Sequence, residues 1–133
     1  MIVVDSSVWI GHLRGLETPA VLRLRQLADT DDDQILIGDL ILLEILQGAR
    51  DDVHAGRIER GLRQYPVIPM LNEMIALAAA RNYRHLRAHG VTVRKTIDLI
   101  IGTFCVIGGH ALLHDDRDFE PMSTLLGLRF PLG

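Results

Sequence analysis

Residues 2–10 read IVVDSSVWI, with an aspartate between an aliphatic run and a second apolar stretch. The run at residues 2–4 is short and wholly apolar, which is typical of a strand that is covered on both faces of a sheet. Ser6 or Ser7 then offers a hydroxyl N-cap to a helix. Asp5 is therefore expected at the point where the first strand ends.

Strand and helix patterns alternate along the rest of the chain. Short aliphatic runs predict strands at 35–37, 67–68 and 111–113, and residues 128–130 are a candidate fifth strand. Helical patterns lie between these strands. One is capped by Thr18 and has an apolar face of Val21, Leu22, Leu24 and Leu27, and another is capped by Asp39 and ends near Gly48. Two more cover 53–63 and 72–88, and the last is capped by Thr96 and ends near 108–109.

This alternation predicts an α/β fold. Parallel neighbouring strands need crossover connections, which helices provide. We expect a three-layer α/β/α sandwich with a short, mostly parallel sheet of four to five strands. A chain of 133 residues, 48% of them hydrophobic, has the size of one domain, so a single domain over residues 1–133 is expected.

Charge and hydropathy exclude several classes of protein. No apolar run approaches the roughly 18–20 residues of a membrane span. No basic residue precedes Arg14, so a secretory signal is not expected and a cytoplasmic location is. The net charge of -3 disfavours nucleic-acid binding through bulk electrostatics but leaves a local basic face open. The acidic run at 29–33 is expected to be a solvated turn, and Cys105, the single cysteine, a buried and inert thiol.

Carboxylates follow two predicted strands and interrupt two apolar runs. Asp5 follows the first strand, and three aspartates follow the strand at 111–113. Glu44 interrupts the apolar run LILLEIL, and Asp98 interrupts IDLII. Buried charges of this kind are rarely tolerated unless they are paired or bind metal. Ligands of open parallel sheets bind beyond the carboxyl ends of the strands, so these acids are expected to form one site.

Each acid taken alone has an ordinary explanation. Asp5 can cap the next helix, Asp98 can favour a helix N-terminus and Glu44 can face solvent, while Asp116 and Asp118 can form a turn. Taken together, these explanations require several coincidences at one end of one sheet. Clustered carboxylates repel one another, and a hard divalent ion, Mg²⁺ or Mn²⁺, removes that repulsion. Such ions suit phosphoryl transfer to water, so the residues predict metal-dependent phosphodiester hydrolysis.

Four segments of the chain are shared with a known family. They are IVVDSSVWI at the first strand, LEILQG in the middle, and TIDLII followed by LLHDDRDF. Over nearly the whole chain, the sequence resembles PIN domains, specifically the VapC-type ribonuclease toxins of bacterial toxin–antitoxin pairs. This resemblance implies that Asp5, Glu44, Asp98 and Asp116 form a catalytic acidic quartet that holds one or two Mg²⁺ or Mn²⁺ ions, with a metal-activated water as the nucleophile.

The resemblance also implies supporting residues and partners. Ser6 matches a position where relatives carry Thr or Ser beside the metal-binding aspartate, and Asp118 is a supporting acid. His114 departs from the family pattern, in which many relatives have Thr or Ser. The family implies homodimers, a VapB-type antitoxin whose tail crosses the acidic groove, assembly with it into a heterotetramer or hetero-octamer, and RNA cleavage that leaves a 5′-phosphate and a 3′-hydroxyl.

Basic residues are the candidates for contacting RNA, because an arginine fork or a lysine ammonium binds phosphate. Arg94 and Lys95 are the best placed for RNA binding, with Arg14 and Arg50 behind them. For any one of them, solvated surface charge is an equal alternative. Trp9 is expected to pack in the core, and the alternative is that it helps to form an antitoxin groove.

Two other functions are compatible with parts of this pattern. A noncatalytic binding module would keep the fold and use the groove to hold a partner peptide, and Mn²⁺ binding would discriminate against it. A phosphatase of the haloacid-dehalogenase type also has an aspartate after its first strand, but it needs a second Asp where this chain has Ser7. The sequence contains no Cys/His zinc cluster, nucleophile elbow or phosphate-binding glycine loop.

Overall fold

A four-stranded parallel sheet forms the centre of the protein in a computed structural model, which describes residues 1–131. The strands are β1 (Ile2–Val4), β2 (Ile35–Gly38), β3 (Val67–Ile68) and β4 (Ala111–Leu113). The helices are α1 (Ser6–Leu13), α2 (Pro19–Thr30), α3 (Asp39–Gln47), α4 (Asp52–Leu62), α5 (Glu73–Ala88), α6 (Thr96–Gly108) and α7 (Glu120–Leu126). Two helices connect each pair of successive strands, as the alternating pattern predicted.

The strand order in the sheet is β3-β2-β1-β4, and every pairing is parallel. Val3 is in register with Leu36 of β2 on one side and Leu112 of β4 on the other. All residues of β1 and β2 are buried, which requires that both faces of the sheet be covered. The predicted α/β sandwich is therefore confirmed, and the carboxyl ends of β1 and β4 lie side by side.

The candidate fifth strand at 128–130 is wrong. Arg129 forms only an isolated parallel bridge with Ala111, in which its carbonyl accepts the N–H of Leu112 at 2.9 Å. Gly127, with φ of 77°, ends α7 directly before this segment, and Pro131 follows it without an N–H to donate. A single bridge without a second paired residue does not make this segment a strand.

Three predicted helix caps are each displaced by one or two residues. The cap of α1 is Asp5 rather than Ser6 or Ser7, because the first helical hydrogen bonds run to the Asp5 carbonyl. The cap of α3 is Gly38, and Asp39 is the first helical residue. The cap of α6 is likewise the residue before Thr96.

The Asp39 side chain has a different partner from the one predicted. Its Oδ1 accepts the N–H of Leu40 at 2.8 Å and that of Met70 at 3.1 Å, so it ties α3 to the segment after β3. The predicted cap Thr18 is confirmed, since its hydroxyl accepts the N–H of Val21 at 3.2 Å. Thr18 therefore begins α2 with Pro19 in the first helical position.

Two further expectations about α2 are corrected. Leu22 was placed on its apolar face, but 50% of its surface is exposed, because it points away from Val21, Leu24 and Leu27, which are buried. The acidic run at 29–33 is exposed but is not one turn: α2 continues to Thr30, and a 3₁₀ helix follows at Asp32–Gln34.

The core lies on both sides of the sheet. Phe119 and Met122 are fully or almost fully buried beside the strand residues, and Trp9 packs against Tyr65 with ring centroids 5.6 Å apart. Cys105 is fully buried, and burial raises the pKa of its thiol to about 12, as expected of an inert cysteine. Over residues 1–131, no helix is both long enough and apolar enough to cross a bilayer.

Candidate metal centre

A cavity of about 380 Å³ opens at the carboxyl ends of β1 and β4, and the four predicted acids all line it. Asp5 follows β1 as the N-cap of α1, and Asp116 follows β4. Glu44 reaches the cavity from the middle of α3, and Asp98 from the first turn of α6. We call this the acidic cavity. Residues up to 111 positions apart in sequence therefore meet at the edge of the sheet where ligands of such folds bind.

Two of these carboxylates are deeply buried and have an oxygen without a hydrogen-bond partner. Asp5 is 3% exposed and Asp98 is 4% exposed. Among residues 1–131, nothing donates a hydrogen bond to Asp5 Oδ1 or to Asp98 Oδ2. A buried carboxylate oxygen without a donor is costly, and a bound cation is one way to offset that cost.

Burial and mutual repulsion raise the pKa values of three acids in the cavity. Burial raises the pKa of Asp98 to about 7, and the nearby charges of Asp5 and Asp116 add to that shift. Burial also raises the pKa of Asp5, against two hydrogen bonds from Ser7 that lower it. The pKa of Glu44 is also raised, mainly by burial and further by the charge of Asp5, although the hydrogen bond from Ser6 lowers it. The site therefore favours a positive charge in its centre.

Three carboxylates are close enough to share one ion. Asp98, Asp116 and Asp118 each offer an oxygen, and these atoms lie within 4.8 Å of one another. Asp118 was expected only as a supporting acid, and the structure places it in one group with the quartet members Asp98 and Asp116. The chain turns sharply here because Asp116 Oδ1 accepts the N–H of Asp118 at 2.9 Å.

Ser6 contacts Glu44 rather than the neighbouring aspartate. Its hydroxyl donates to Glu44 Oε1 at 3.1 Å and so ties α1 to α3 across the acidic cavity. The sequence predicted that Ser6 would hydrogen-bond a carboxylate or a water on the metal. The observed contact holds the Glu44 side chain in place at the edge of the site.

Ser7 is a site residue that the sequence reasoning missed. Its N–H and its hydroxyl both donate to Asp5 Oδ2, at 3.1 and 2.6 Å. Its Oγ also accepts the N–H of Asp115 at 3.0 Å, which joins the start of α1 to the loop after β4. The signal was present, because a serine two residues after an aspartate cap is placed to bond that carboxylate.

The basic residues expected to contact RNA lie at different distances from the acids. Lys95 and Arg14 line the acidic cavity. Arg94 lies 3.7 Å from Asp118 Oδ1 with most of its side chain in solvent. Arg50 is not in the acidic cavity but lines a neighbouring cavity of about 440 Å³, which we call the side cavity.

His114 holds the backbone of the loop that carries Asp116. Its Nδ1 accepts the N–H of Asp116 at 3.1 Å, and its ring packs against Phe119 and Phe130, with centroids 5.2 and 4.4 Å away. A Thr or Ser hydroxyl at this position could accept the same N–H. In this chain His114 both accepts that N–H and packs against two aromatic rings.

The match to known families covers almost the entire chain. The family described as the PIN domain matches residues 2–124. The chain belongs to the PIN domain family. Two curated relatives of this PIN domain are a VapC ribonuclease, Mb1587, of Mycobacterium bovis and the ribonuclease VapC11 of Mycobacterium tuberculosis. Each is 30% identical over 129 residues, a match that covers 97% of this chain and 96% of the relative.

Solved structures share the fold of this PIN domain at low sequence identity. VapBC2 of Rickettsia felis, bound to a promoter DNA fragment, has a TM-score of 0.76 at 14% identity and 98% coverage of both chains. VapBC-1 of nontypeable Haemophilus influenzae has a TM-score of 0.73 at 20% identity, with 98% of this chain and 97% of that chain covered. These likenesses establish the fold of the PIN domain.

Proposed function

We propose that this PIN domain is the toxin of a toxin–antitoxin pair and an endoribonuclease that uses Mg²⁺ or Mn²⁺ to hydrolyse RNA phosphodiester bonds. One observation carries the proposal: Asp5, Glu44, Asp98 and Asp116 line one cavity, and two of them have buried carboxylate oxygens without donors. Such an all-oxygen site suits a hard divalent cation. The 30% identity to curated ribonucleases over nearly the full chain supports the same activity.

The four acids would hold the cation, and the residues around them would set their geometry. A divalent ion bound here would orient the scissile phosphate, lower the pKa of the attacking water and stabilise the leaving oxygen. Ser6 would keep Glu44 at the edge of the site through their 3.1 Å bond. Asp118 would assist Asp98 and Asp116, since oxygens of all three lie within 4.8 Å of one another.

Arg94 and Lys95 would bind the RNA strand beside the acids. Lys95 lines the acidic cavity, and its positive charge lowers the pKa values of Glu44 and Asp98. Arg94 is largely exposed and lies near Asp118, so its guanidinium can exchange that contact for a phosphate. Both cations precede α6, the helix that carries Asp98.

The proposed partner is a VapB-type antitoxin, and the working place is the cytoplasm. Three of the similar solved structures are VapBC proteins, which supports a pair of this kind for the present chain. We propose a homodimer that assembles with the antitoxin into a heterotetramer or hetero-octamer. The unit that carries these functions is one PIN domain over residues 1–133, of which residues 132 and 133 lie outside the described part.

Charge-neutral variants of the buried acids test the proposal. Asp5→Asn and Asp98→Asn should each lower RNA cleavage in Mn²⁺ by at least about 100-fold, equivalent to about 2.7 kcal/mol in the barrier, and should end growth arrest on expression. Calorimetry should show that both variants lose Mn²⁺ binding. Asp52→Asn, on the exposed first turn of α4, is the matched control and should behave like the parent.

Two outcomes would contradict the proposal in different ways. If Asp5→Asn and Asp98→Asn remained as toxic and as nucleolytic as the parent, the acidic mechanism would be wrong. If the parent bound an antitoxin but neither bound Mn²⁺ nor cleaved RNA, the chain would be the noncatalytic binding module instead.

A further inference from the structure

We infer that Ser7 is a positioning residue, which fixes the Asp5 carboxylate so that Oδ1 alone is left for the cation. The inference rests on the proposed function, because it assumes that Asp5 is a metal ligand. It goes further by assigning different roles to the two oxygens of Asp5 and by naming the hydroxyl that separates them.

The two oxygens of Asp5 have opposite surroundings. Oδ2 accepts two hydrogen bonds from Ser7, one from its N–H at 3.1 Å and one from its hydroxyl at 2.6 Å. Oδ1 is buried and has no partner within residues 1–131. Since both donors belong to one residue and act on one oxygen, they hold the carboxylate plane and leave the other oxygen free to bind a cation.

The direction of the Ser7 hydroxyl is itself fixed. A hydroxyl has one proton to donate, and Ser7 Oγ already accepts the N–H of Asp115 at 3.0 Å. A backbone N–H can only donate, so the Ser7 proton is directed to Asp5 Oδ2. The short distance of 2.6 Å is that of a hydroxyl donating to a charged oxygen.

The contact continues beyond Ser7 into a third element. The Thr18 hydroxyl donates to Asp115 Oδ2 at 2.6 Å and accepts the N–H of Val21, so it joins the start of α2 to the loop after β4. Thr18, Asp115, Ser7 and Asp5 therefore form one chain of contacts. These contacts to Asp5 are separate from the Ser6–Glu44 bond.

A purely structural role for Ser7 makes a different prediction. Asp5 caps α1 by accepting the backbone N–H of Ser7, and that bond does not need the Ser7 side chain. Ser7→Ala therefore removes the hydroxyl but keeps the helix cap. If the hydroxyl only stabilised α1, its loss would lower the unfolding temperature and leave the metal affinity of the folded protein unchanged.

The test is calorimetric titration of the full chain with Mn²⁺ alone, together with thermal unfolding in EDTA. Ser7→Ala should weaken Mn²⁺ binding by about 10–100-fold, the usual effect of removing a group that orients a metal ligand. Ser7→Thr, which restores a hydroxyl, should stay within about threefold of the parent. Thr18→Asp keeps an acceptor that can cap α2, but the new side chain has no proton to donate to Asp115. It should therefore also weaken Mn²⁺ binding, by less than Ser7→Ala does.

The outcomes separate this inference from the proposed function. If the parent and Ser7→Ala bind Mn²⁺ equally well while Asp98→Asn does not bind, the role of Ser7 is wrong and the metal site stands. Equal losses in Ser7→Ala and Ser7→Thr would also overturn it, since the hydroxyl would then not be the cause. If Ser7→Ala fails to fold, unchanged binding by Thr18→Asp overturns the inference. A parent that binds no Mn²⁺ overturns the proposed function itself.

Discussion

At the scale of single residues, the main feature of the acidic cavity is that the fold holds four carboxylates near one another although their negative charges repel. Burial raises the pKa values of Asp5, Glu44 and Asp98, and the charge of at least one other acid of the cavity raises each of them further. The hydrogen bond from Ser6 and the charge of Lys95 oppose this effect for Glu44, and the charge of Lys95 opposes it for Asp98. Without a cation, the folded protein can relieve the repulsion by taking up a proton, and Asp98 is the residue that does so near neutral pH.

This proton uptake predicts a stability that falls as pH rises. The pKa of Asp98 is about 7 in the folded protein against an ordinary value of 3.8, so between those values the folded state binds more protons than the unfolded state. That stabilisation is complete below pH 3.8 and is lost as pH rises through about 7. In EDTA, we expect Asp98→Asn to be more stable than the parent at pH 8 by at least about 1 kcal/mol, or roughly 3–5 °C, and to match it near pH 4.

Thermal unfolding of the parent and of Asp98→Asn in EDTA from pH 4 to pH 8 measures this difference in stability. Other titrating groups are present in both proteins, so their contributions cancel in the difference. Adding Mn²⁺ at pH 8 should stabilise the parent and leave Asp98→Asn unchanged, because only the parent binds the ion. Asp52→Asn on α4 should track the parent at every pH. If the stability of the parent and of Asp98→Asn changed in parallel with pH, the pKa of Asp98 would not be raised in the folded protein.

The sequence allowed the four acids to be selected because each of them breaks a local pattern. Glu44 and Asp98 interrupt apolar runs, and Asp5 and Asp116 follow strands. The structure brings all four to one cavity, while their roles as ligands stay predictions. Ser7 could have been assigned to Asp5 from its position two residues after that cap, but its bond to Asp115 and the bond of Ser6 to Glu44 depend on contacts with distant parts of the chain.

At the scale of elements, the sequence pattern predicted every strand and helix that positions the site, with the bounds of β1, β3 and β4 correct, but it misplaced the starts of three helices by one or two residues. The cap of α3 was placed at Asp39, but the extended backbone continues through Gly38. The Asp39 carboxylate makes a tertiary contact instead of serving as the cap, because it accepts the N–H of Met70, 31 residues later. A contact of that range has no signature in the local pattern, which is also why the bridge at Arg129 was taken for a strand.

Gly38 provides a prediction about the junction between β2 and α3. A Cβ at this position would collide with the side chain of Met70, which is 1% exposed. The backbone φ of -75° suits any residue, so the collision is the only obstacle. We expect Gly38→Ala to lower the free energy of unfolding by about 1–3 kcal/mol in a denaturant titration.

The matched control is Gly56→Ala in the middle of α4. A Cβ there meets only the end of the Arg60 side chain at 3.4 Å, an ordinary contact. Alanine is the better helix former, so this variant should raise the free energy of unfolding by about 0.5–1 kcal/mol. Equal effects of the two substitutions would show that Met70 can move aside, and that Gly38 is not required for close packing.

At the scale of the whole molecule, three cavities join into one surface. The side cavity shares Ile10 and Arg14 with the acidic cavity. It also shares Leu13 and Ile58 with a third cavity of about 490 Å³ beside Trp9 and Tyr65, which we call the large cavity. Trp9 is thus a core residue, as expected, whose ring also forms part of a surface depression. An antitoxin that blocks the acids and covers this surface would bury exposed apolar groups along its path.

Leu13 tests whether the antitoxin follows this path. It lines both the side cavity and the large cavity and is 49% exposed, so Leu13→Glu places a charge on the covered surface at little expense to the fold. We expect the variant to bind its antitoxin at least about tenfold more weakly, which corresponds to about 1.4 kcal/mol, while Mn²⁺ binding and RNA cleavage remain those of the parent. Leu22→Glu on α2 is the control, because Leu22 is equally exposed and lines neither cavity. If both variants bound the antitoxin as tightly as the parent in a titration, the antitoxin would have to reach the acids from another side.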